Sequence, residues 1–266
     1  MHERGGKPVH SPDELRALVE DYLEHLAPTW MDGEFGEAIR YSLEGGGKRI
    51  RPVLCLAVAE AAGATPAQAV PAAVAIELVH TFSLVHDDLP ALDDDRERRG
   101  RPSTHVQFGE AVAILTGDAL LTQALHLAIS YGQPGVANEL ADATLNMIRG
   151  QYLDVTGSDL ALEELYELKT GALFNAAVGC GLEVAGVPRG SQRPWRAFAR
   201  EFGVLFQVVD DISDADGLVE ARGARAARQL ASQVESRARE ALDEIGADTS
   251  VLAELVSGLS ARAGGR

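Results

Sequence analysis

Long segments with a helical hydrophobic period are the feature that most constrains the fold of this chain. Apolar residues recur at the spacing of one helix face through residues 110–131, 135–155, 162–185 and 191–214. Neither alternating runs of strand length nor an Asn-Gly hairpin signal is found between these segments. The pattern predicts an all-α fold in which one domain covers residues 1–266, with residues 1–10 as a flexible tail.

Local signals set the expected helix boundaries. Ser11-Pro12-Asp13-Glu14 and Thr65-Pro66-Ala67-Gln68 each combine a capping box with a proline in the first turn. Pro90 disfavours helix at Leu89, so the helix that starts near Pro66 should end near Asp88. The other predicted helices cover 12–27, 34–43, 52–62, 220–245 and 250–263.

Composition excludes several classes of function. The 266 residues include 40 acidic and 24 basic ones, whereas nucleic-acid binding requires an excess of Lys and Arg. Only two cysteines are present, Cys55 and Cys180, too few for a disulfide framework or a zinc quartet. With neither a signal peptide nor an apolar run of spanning length evident, the protein is expected to be soluble and cytoplasmic, without stable membrane insertion.

An acidic pair follows the apolar helical segment at 74–84. Asp87 and Asp88 come first, then Asp93, and then the basic pair Arg98 and Arg99. Acidic groups at the end of a buried helix are costly unless positive charge lies among them. Clustered carboxylates suit Mg²⁺, which proteins often share with a substrate phosphate. A solvated loop is the alternative interpretation.

The same arrangement occurs a second time. An apolar helical segment ends in Asp210 and Asp211, and Asp214 follows. Asp210 and Asp214 are four residues apart on one helix face, where like charges destabilise a helix unless a cation neutralises them. An ordinary acidic helix end would explain one such cluster, but the repetition favours a shared function.

Cations are concentrated in a few further motifs. Residues 44–52, EGGGKRIRP, place three cations between a glycine run and a helix start, where backbone amides favour an anion. The chain has only three lysines, and one lies here (Lys48) while another (Lys169) precedes Thr170 and Gly171. Gln151 and Asp154 add an amide and a carboxylate at one-turn spacing. Each of these motifs alone could equally be structural.

Taken together and in this order, the two aspartate clusters, GGGKRIRP, RRG and KTG resemble the isoprenyl diphosphate synthases, most closely bacterial farnesyl and geranylgeranyl diphosphate synthases. The resemblance spans roughly residues 41–214. It implies a bundle of long helices around a central cavity, usually a homodimer, whose two aspartate motifs face each other and bind Mg²⁺. The partners would be small-molecule diphosphates, not nucleic acid.

The resemblance also implies roles for individual residues. Asp87, Asp93 and Asp210 would be the metal ligands, with Asp88, Asp211 and Asp214 acting indirectly or through water. The isopentenyl diphosphate contacts would be Lys48, Arg51, His80 and Arg99. The allylic diphosphate contacts would be Arg98, Lys169, Thr170 and Gln207, with Lys169 also counted as catalytic. His86 and His105 are expected to be structural.

Product length is expected to depend on the helix before Asp87. A residue five positions earlier lies roughly 7.5 Å down that helix, which places Phe82 and then Ser83 beside a growing prenyl tail. A bulky ring there favours farnesyl diphosphate, as does the long first motif DDLPALD. A geranylgeranyl product is the alternative, and Phe82 could also be an ordinary core residue.

One departure from the family pattern lies after Asp214. The family carries a loop with lysines that closes on the allylic diphosphate, whereas residues 215–228 contain no lysine. The residues that could replace those lysines are Arg222, Arg225 and Arg228, although arginine and lysine are not equivalent. A weakly active or regulatory subunit is therefore a further hypothesis, and a terpene cyclase ranks below it.

Overall fold

The computed structural model describes residues 9–26, 33–44, 46–157, 162–215 and 217–263. The longer helices in these ranges are α1 (Pro12–His25), α2 (Gly33–Glu44), α3 (Ile50–Ala61), α4 (Pro66–Asp87), α6 (Glu110–Ile129), α7 (Pro134–Val155), α9 (Ala172–Val184), α10 (Arg193–Asp214), α12 (Ala224–Asp243) and α13 (Ser250–Ala263). The short helices are α5 (Thr104–Phe108), α8 (Leu162–Tyr166) and α11 (Leu218–Arg222), with a π-helical turn at Glu167–Gly171. The predicted all-α architecture is confirmed.

The two predicted capping boxes start α1 and α4. The Ser11 side chain accepts from the backbone of Glu14, whose carboxylate accepts from the backbone of Ser11. The Gln68 side chain accepts from the Thr65 backbone in the same way. Because α4 is fixed at its first residue and interrupted near Pro90, its last residue is Asp87, with Asp88 as the cap.

Helix α4 is the centre of the fold. It packs against α1, α3, α6 and α9 and is apolar on all sides, which is the pattern of a buried helix. On the far side α10 packs against α9, α12 and α13. One continuous hydrophobic cluster joins these helices. The two helices that carry the predicted acidic ends therefore share α9 as a common neighbour.

Two of the described helices, α4 and α6, are long and apolar enough to cross a membrane, so the expectation that no run reaches spanning length is wrong. Their composition has another explanation, because core helices of soluble proteins pass the same test. In the most apolar stretch of α4, 72% of the residues are buried inside the protein. For α6 the share is 39%, which leaves an apolar face uncovered.

Several boundaries differ from the sequence prediction. The expected helix at 162–185 is interrupted by the π-helical turn, and the one at 220–245 breaks at Gly223, whose φ is 85°. A two-residue ribbon pairs β1 (Glu97–Arg98) with β2 (Arg101–Pro102), although no strand was predicted. Its turn residues Arg99 and Gly100 both have positive φ, which a tight hairpin of this kind requires.

The predicted N-terminal tail and the end of the first helix lie partly within the described residues. Residues 1–8 of the predicted tail lie outside the described residues, as does Ala27, the expected end of the first helix. His10 is held in place, because its backbone and ring nitrogens both contact the carboxylate of Glu60.

Candidate active site

The first aspartate cluster forms where α4 ends. The loop after Pro90 turns back, so that the backbone amide of Asp93 donates to the carbonyl oxygen of Asp87 at 2.9 Å. Burial and the nearby charge of Asp93 raise the pKa of Asp87 to about 6. The carboxylates of Asp87 and Asp93, both predicted metal ligands, therefore lie close enough for their negative charges to repel each other.

Asp88 has a different role from its neighbour. Its side chain is buried, and its Oδ1 accepts a hydrogen bond from Arg98 Nε at 2.9 Å. Arg98 also donates to Asp95 at 2.7 Å. Arg98, predicted to contact the allylic diphosphate, is thus already engaged on one edge by two carboxylates. Because a guanidinium has five N–H donors, its remaining edge can still bind an anion.

The second aspartate cluster lies at the end of α10. Asp211 is buried and accepts hydrogen bonds from Tyr166 Oη (2.9 Å), Gln207 Nε2 (2.8 Å) and the backbone amide of Leu218 (2.9 Å). Asp210 is only partly buried and accepts from Arg262 Nη2 at 3.0 Å. In this cluster too, one carboxylate is built into the protein while its neighbour faces the site.

A chain of contacts links the two clusters through the π-helical turn. On the first side, Gln151 Nε2 donates to Asp93 at 3.1 Å. One turn further along α7, Asp154 accepts from Lys169 Nζ at 2.5 Å. Lys169 also lies near Asp87, and the positive charge of Lys169 lowers the pKa of the Asp87 carboxyl.

The link continues through the residue after Lys169. The Thr170 hydroxyl donates to the Gln207 side-chain oxygen at 2.9 Å, and Gln207 holds Asp211. Close approach of α7 to this turn depends on Gly150, where a Cβ would lie 2.8 Å from Lys169 Cγ. The predicted motifs GQxxD, KTG and both aspartate clusters therefore meet at one site.

The predicted isopentenyl diphosphate contacts also gather together. Arg51 Nη1 lies 3.5 Å from His80 Nε2, and the Arg51 guanidinium stacks 4.5 Å above the ring of Phe174. Burial lowers the pKa of Arg51 to about 10, and burial together with Arg51 lowers the pKa of His80 well below its usual value. Arg51 thus remains charged at neutral pH while His80 is neutral.

Arg99 reaches this group by passing the glycine run. Its Nη1 donates to the carbonyl oxygen of Gly46. A Cβ on Gly47 would lie 2.8 Å from the same nitrogen, so only glycine permits this approach. Lys48 follows and is exposed, and Asp210 is the carboxylate that acts on its charge. Gly46 and Gly47 therefore let the Arg99 guanidinium approach the backbone of this loop.

Arg49, the remaining cation of that motif, has a structural role. Arg49 is buried and pairs with Glu77 at 2.6 Å and Glu20 at 2.8 Å. Its φ of 47° ends the glycine loop and starts α3. The two histidines expected to be structural have protein partners as well: His86 contacts the carbonyl oxygen of Ile114, and His105 contacts Ser103.

An apolar cavity of about 550 Å³ opens below Asp87. Phe82 and Ser83 line it from α4, as the sequence predicts for a tail-binding channel, and Asp87 and Lys169 lie at one end. Phe82 itself is largely buried and packs edge-on against His86. The further lining residues come from α4, α6, α7 and the loop after Pro90: His86, Asp118, Leu121, Met147, Ile148, Gln151, Tyr152, Val155 and Leu92.

Sequence reasoning missed several residues of this site. Tyr166 and Arg262 contact the second cluster from 45 and 52 residues away in sequence, and no local pattern marks either one. The α7 residues Met147 and Ile148 were also missed, although they lie one helical turn before Gln151 and Tyr152, a spacing that places each pair on one helix face and could have suggested a shared channel.

The residues present fit a divalent cation that is shared with a phosphate. Nowhere in the described ranges do three His, Cys, Asp or Glu side chains gather closely enough to hold a metal by themselves. Carboxylates in pairs, with phosphate oxygens completing the shell, are a usual arrangement for Mg²⁺. The buried Nε of Arg51 has no hydrogen-bond partner, which is a costly state that an anionic ligand would relieve.

Comparison with known proteins gives a consistent result. A family model described as polyprenyl synthetase matches residues 32–236. A geranylgeranyl diphosphate synthase of Cyanophora paradoxa is 39% identical over 235 residues, which cover 83% of this chain and 78% of that protein. A farnesyl diphosphate synthase of Geobacillus stearothermophilus is 38% identical over 224 residues, covering 79% and 74%. A crystal structure titled geranyltranstransferase, from Thermotoga maritima, superposes with a TM-score of 0.84 at 31% identity, covering 94% of this chain and 97% of that one.

Proposed function

The chain belongs to the polyprenyl synthetase family of prenyltransferases, and from this premise we propose that it condenses isopentenyl diphosphate with an allylic diphosphate, dimethylallyl or geranyl, to give farnesyl diphosphate. One observation carries the proposal. The two acidic helix ends are linked through Lys169 and Thr170, and the tail cavity opens directly below Asp87.

Asp87, Asp93 and Asp210 are the proposed ligands of Mg²⁺. When bound, the metal withdraws charge from the allylic diphosphate and so makes it a better leaving group. The protein's own contribution is to hold the carboxylates in place: the loop after Pro90 returns Asp93 to Asp87, and Asp211 is fixed by three donors beside Asp210.

The cations divide into two proposed diphosphate sites. Lys48, Arg51, His80 and Arg99 hold isopentenyl diphosphate, and the unpaired Nε of Arg51 supports this role. Arg98, Lys169, Thr170 and Gln207 hold the allylic diphosphate. Negative charge grows on that diphosphate as its C–O bond breaks, and fixed donors aimed at it stabilise the transition state without reorganisation.

The next steps need orientation more than a protein base. Arg51 and Arg99 bind the diphosphate of isopentenyl diphosphate and so orient its double bond toward the allylic carbon. The apolar walls of the cavity exclude water from the carbocation. The proton that is lost afterwards passes to the departing diphosphate, while His80 stays neutral because of its burial among arginines.

Product length is the finer part of the proposal. Phe82 narrows the cavity near Asp87, which favours farnesyl diphosphate. A geranylgeranyl product is the second candidate, because relatives of both kinds match the chain.

A regulatory subunit is the remaining alternative. The lysine-free stretch after Asp214 favours it, and there Arg225 and Arg228 are exposed on α12. The complete set of cations and carboxylates argues for a catalytic chain. Incubation of the isolated protein with isopentenyl diphosphate and each allylic primer distinguishes the two hypotheses. Mg²⁺-dependent incorporation of isopentenyl units supports the synthase, whereas no incorporation with any primer supports the regulatory subunit.

The same assay tests the channel. We expect Phe82→Ala to lengthen the main product by one isoprenyl unit, because removing the ring extends the free channel beside α4. Chromatography of the dephosphorylated products measures this. Ser83→Phe is the matched opposite change, since it adds a ring one position later, and it should shorten the product. If the product length is unchanged in both variants, Phe82 is an ordinary core residue and does not set product length.

A soluble homodimer in the cytoplasm is the proposed form of the protein. Large apolar side chains on α6 and α7 are exposed, among them Ile114, Leu115, Ile129, Leu145 and Ile148. A face of this kind on a monomer is a usual sign of an interface. Burial of α4 in the core supports solubility, and light scattering that gives the mass of one 28.2 kDa chain would contradict the dimer.

A further inference from the structure

The end of the last helix lies directly against the second aspartate cluster. Arg262, in the final turn of α13, donates through Nη2 to Asp210 Oδ1 at 3.0 Å. Helix α13 is placed there by its packing on α10 and α12, with Leu259 and Ala263 buried on either side of the arginine. Arg262 is therefore held at Asp210 by the fold and is not a mobile surface side chain that meets it by chance.

Asp210 needs a positive neighbour when it holds no metal. It is partly buried, Asp214 lies one turn away on the same face, and the C-terminal end of α10 adds a negative dipole. Both side chains of the pair keep about a third of their surface exposed, 30% for Arg262 and 32% for Asp210. The pair is thus accessible enough to separate, which a fully buried pair is not.

A guanidinium and a divalent cation compete for the same carboxylate. Arg262 occupies Oδ1, and a metal on either oxygen would lie within a few ångströms of its charge. Lys48 lies nearby as well, and the charge of Arg262 acts on it. The surroundings of Asp210 are therefore unfavourable for a free metal ion and far less so for a metal that already carries a negatively charged diphosphate.

We propose that Arg262 is a positioning residue that serves as the exchangeable counter-ion of Asp210. It holds the carboxylate in place in the metal-free protein and releases it when a metal–diphosphate complex arrives. This makes the second cluster selective for metal that enters together with diphosphate. The inference rests on the proposed metal role of Asp210.

The test measures metal binding and not turnover. Mn²⁺ is titrated into the full chain, and free Mn²⁺ is followed by its electron paramagnetic resonance signal, with and without inorganic diphosphate. We expect Arg262→Gln to bind Mn²⁺ alone roughly threefold to tenfold more tightly than the wild type, since the competing charge is gone. With inorganic diphosphate present, the difference should shrink to less than about twofold.

Matched variants separate this role from a structural one. Arg239→Gln removes an arginine of α12 that donates to Ser257 of α13 but contacts neither aspartate cluster, and it should leave Mn²⁺ binding unchanged. Arg262→Lys keeps the charge and should bind Mn²⁺ like the wild type, which covers the case in which the glutamine variant folds poorly. Equal or weaker Mn²⁺ binding by Arg262→Gln would overturn the proposal.

Failure of the proposed metal site gives a different result. Asp210→Asn should lose the metal that diphosphate brings to this cluster. If Asp210→Asn binds Mn²⁺ and diphosphate as well as the wild type, Asp210 is not a ligand and the inference falls together with the metal assignment. If Asp210→Asn weakens binding while Arg262→Gln leaves it unchanged, only the role of Arg262 is refuted.

Discussion

The two aspartate clusters have the same outline but place their arginine on opposite members. In the first, the buried Asp88 pairs with Arg98, and Asp87 makes no side-chain hydrogen bond to any described residue. In the second, the buried Asp211 is held by neutral donors, and the more accessible Asp210 pairs with Arg262. The same sequence motif therefore occurs in two different electrostatic environments, which differ in whether the buried or the accessible aspartate pairs with an arginine.

The difference predicts which cluster takes up metal first. No cation in the described part of the chain pairs directly with Asp87. The charges of Lys169 and Arg98 only partly offset burial and the repulsion from Asp93, which raise the pKa of Asp87 to about 6. A cation arriving there relieves both. At Asp210 a cation has to replace an existing partner. We therefore expect the first cluster to fill at lower metal concentration and the second to fill with the diphosphate.

The largest effect is expected from neutralising either proposed ligand. Asp87→Asn and Asp210→Asn should each lower the rate of condensation roughly a thousandfold, because the leaving charge loses its stabilisation while the side-chain volume is kept. Steady-state incorporation of labelled isopentenyl diphosphate measures it. Asp94→Asn is the control: Asp94 is exposed in the same loop at a φ of 51°, which asparagine also tolerates. A rate near that of the control in either ligand variant would remove that cluster from the mechanism.

The next effect concerns stability at the buried positions. Asp211→Ala removes the acceptor that the Tyr166 hydroxyl, the Gln207 amide and the Leu218 N–H share, so we expect a loss of about 2–4 kcal/mol in the free energy of unfolding. Asp88→Ala should cost less, about 1–2 kcal/mol, because Arg98 is 36% exposed and can be hydrated. Urea unfolding of both variants in EDTA compares them. The reverse order would mean that the charged pair, not the neutral network, is the stronger anchor.

The contrast between the clusters also shows how far sequence alone reaches. The apolar helices, both capping boxes and the end of α4 at Asp87 follow from local signals. The motifs that the sequence grouped also make contact, since Lys169 contacts Asp154 and Thr170 contacts Gln207. The partners of the buried aspartates did not follow. Arg262 and Tyr166 meet Asp210 and Asp211 only through helix packing, and packing over 45 or more residues leaves no periodic trace.

The π-helical turn was missed for a related reason. Residues 162–185 have one uninterrupted helical period, so nothing local predicts the extra residue per turn at Glu167–Gly171. Its effect is visible only in three dimensions, where Lys169 contacts Asp154 while the adjacent Thr170 contacts Gln207. The turn lets two neighbouring side chains serve the two clusters separately.

A smaller effect is expected from the charge of Asp87 in the metal-free protein. Because its pKa is raised in the folded state, folded protein holds a proton between about pH 4 and 6 that unfolded protein has released. Stability therefore falls as pH rises through this window, and the full penalty is present above pH 6. Asp87→Asn should be more stable than the wild type by about 1–2 kcal/mol at pH 8 and equal to it at pH 4. Urea unfolding in EDTA across this range tests it, and a pH-independent difference would mean that packing, not charge, is responsible.

The smallest effect tests the link between the second cluster and the allylic site. Tyr166→Phe removes the hydroxyl that donates to Asp211, while the ring keeps its place beside Gly217, where a Cβ would lie 2.3 Å from Tyr166 Oη. We expect a loss of about 1 kcal/mol in unfolding free energy. Because Asp211 holds Gln207 and Gln207 accepts from Thr170, the KM for the allylic diphosphate should rise roughly twofold to fivefold, whereas the KM for isopentenyl diphosphate stays unchanged. Equal changes in both KM values would show that the hydroxyl supports the whole site and not the allylic side alone, since Arg51 and Arg99 are held by the glycine loop and Phe174 instead.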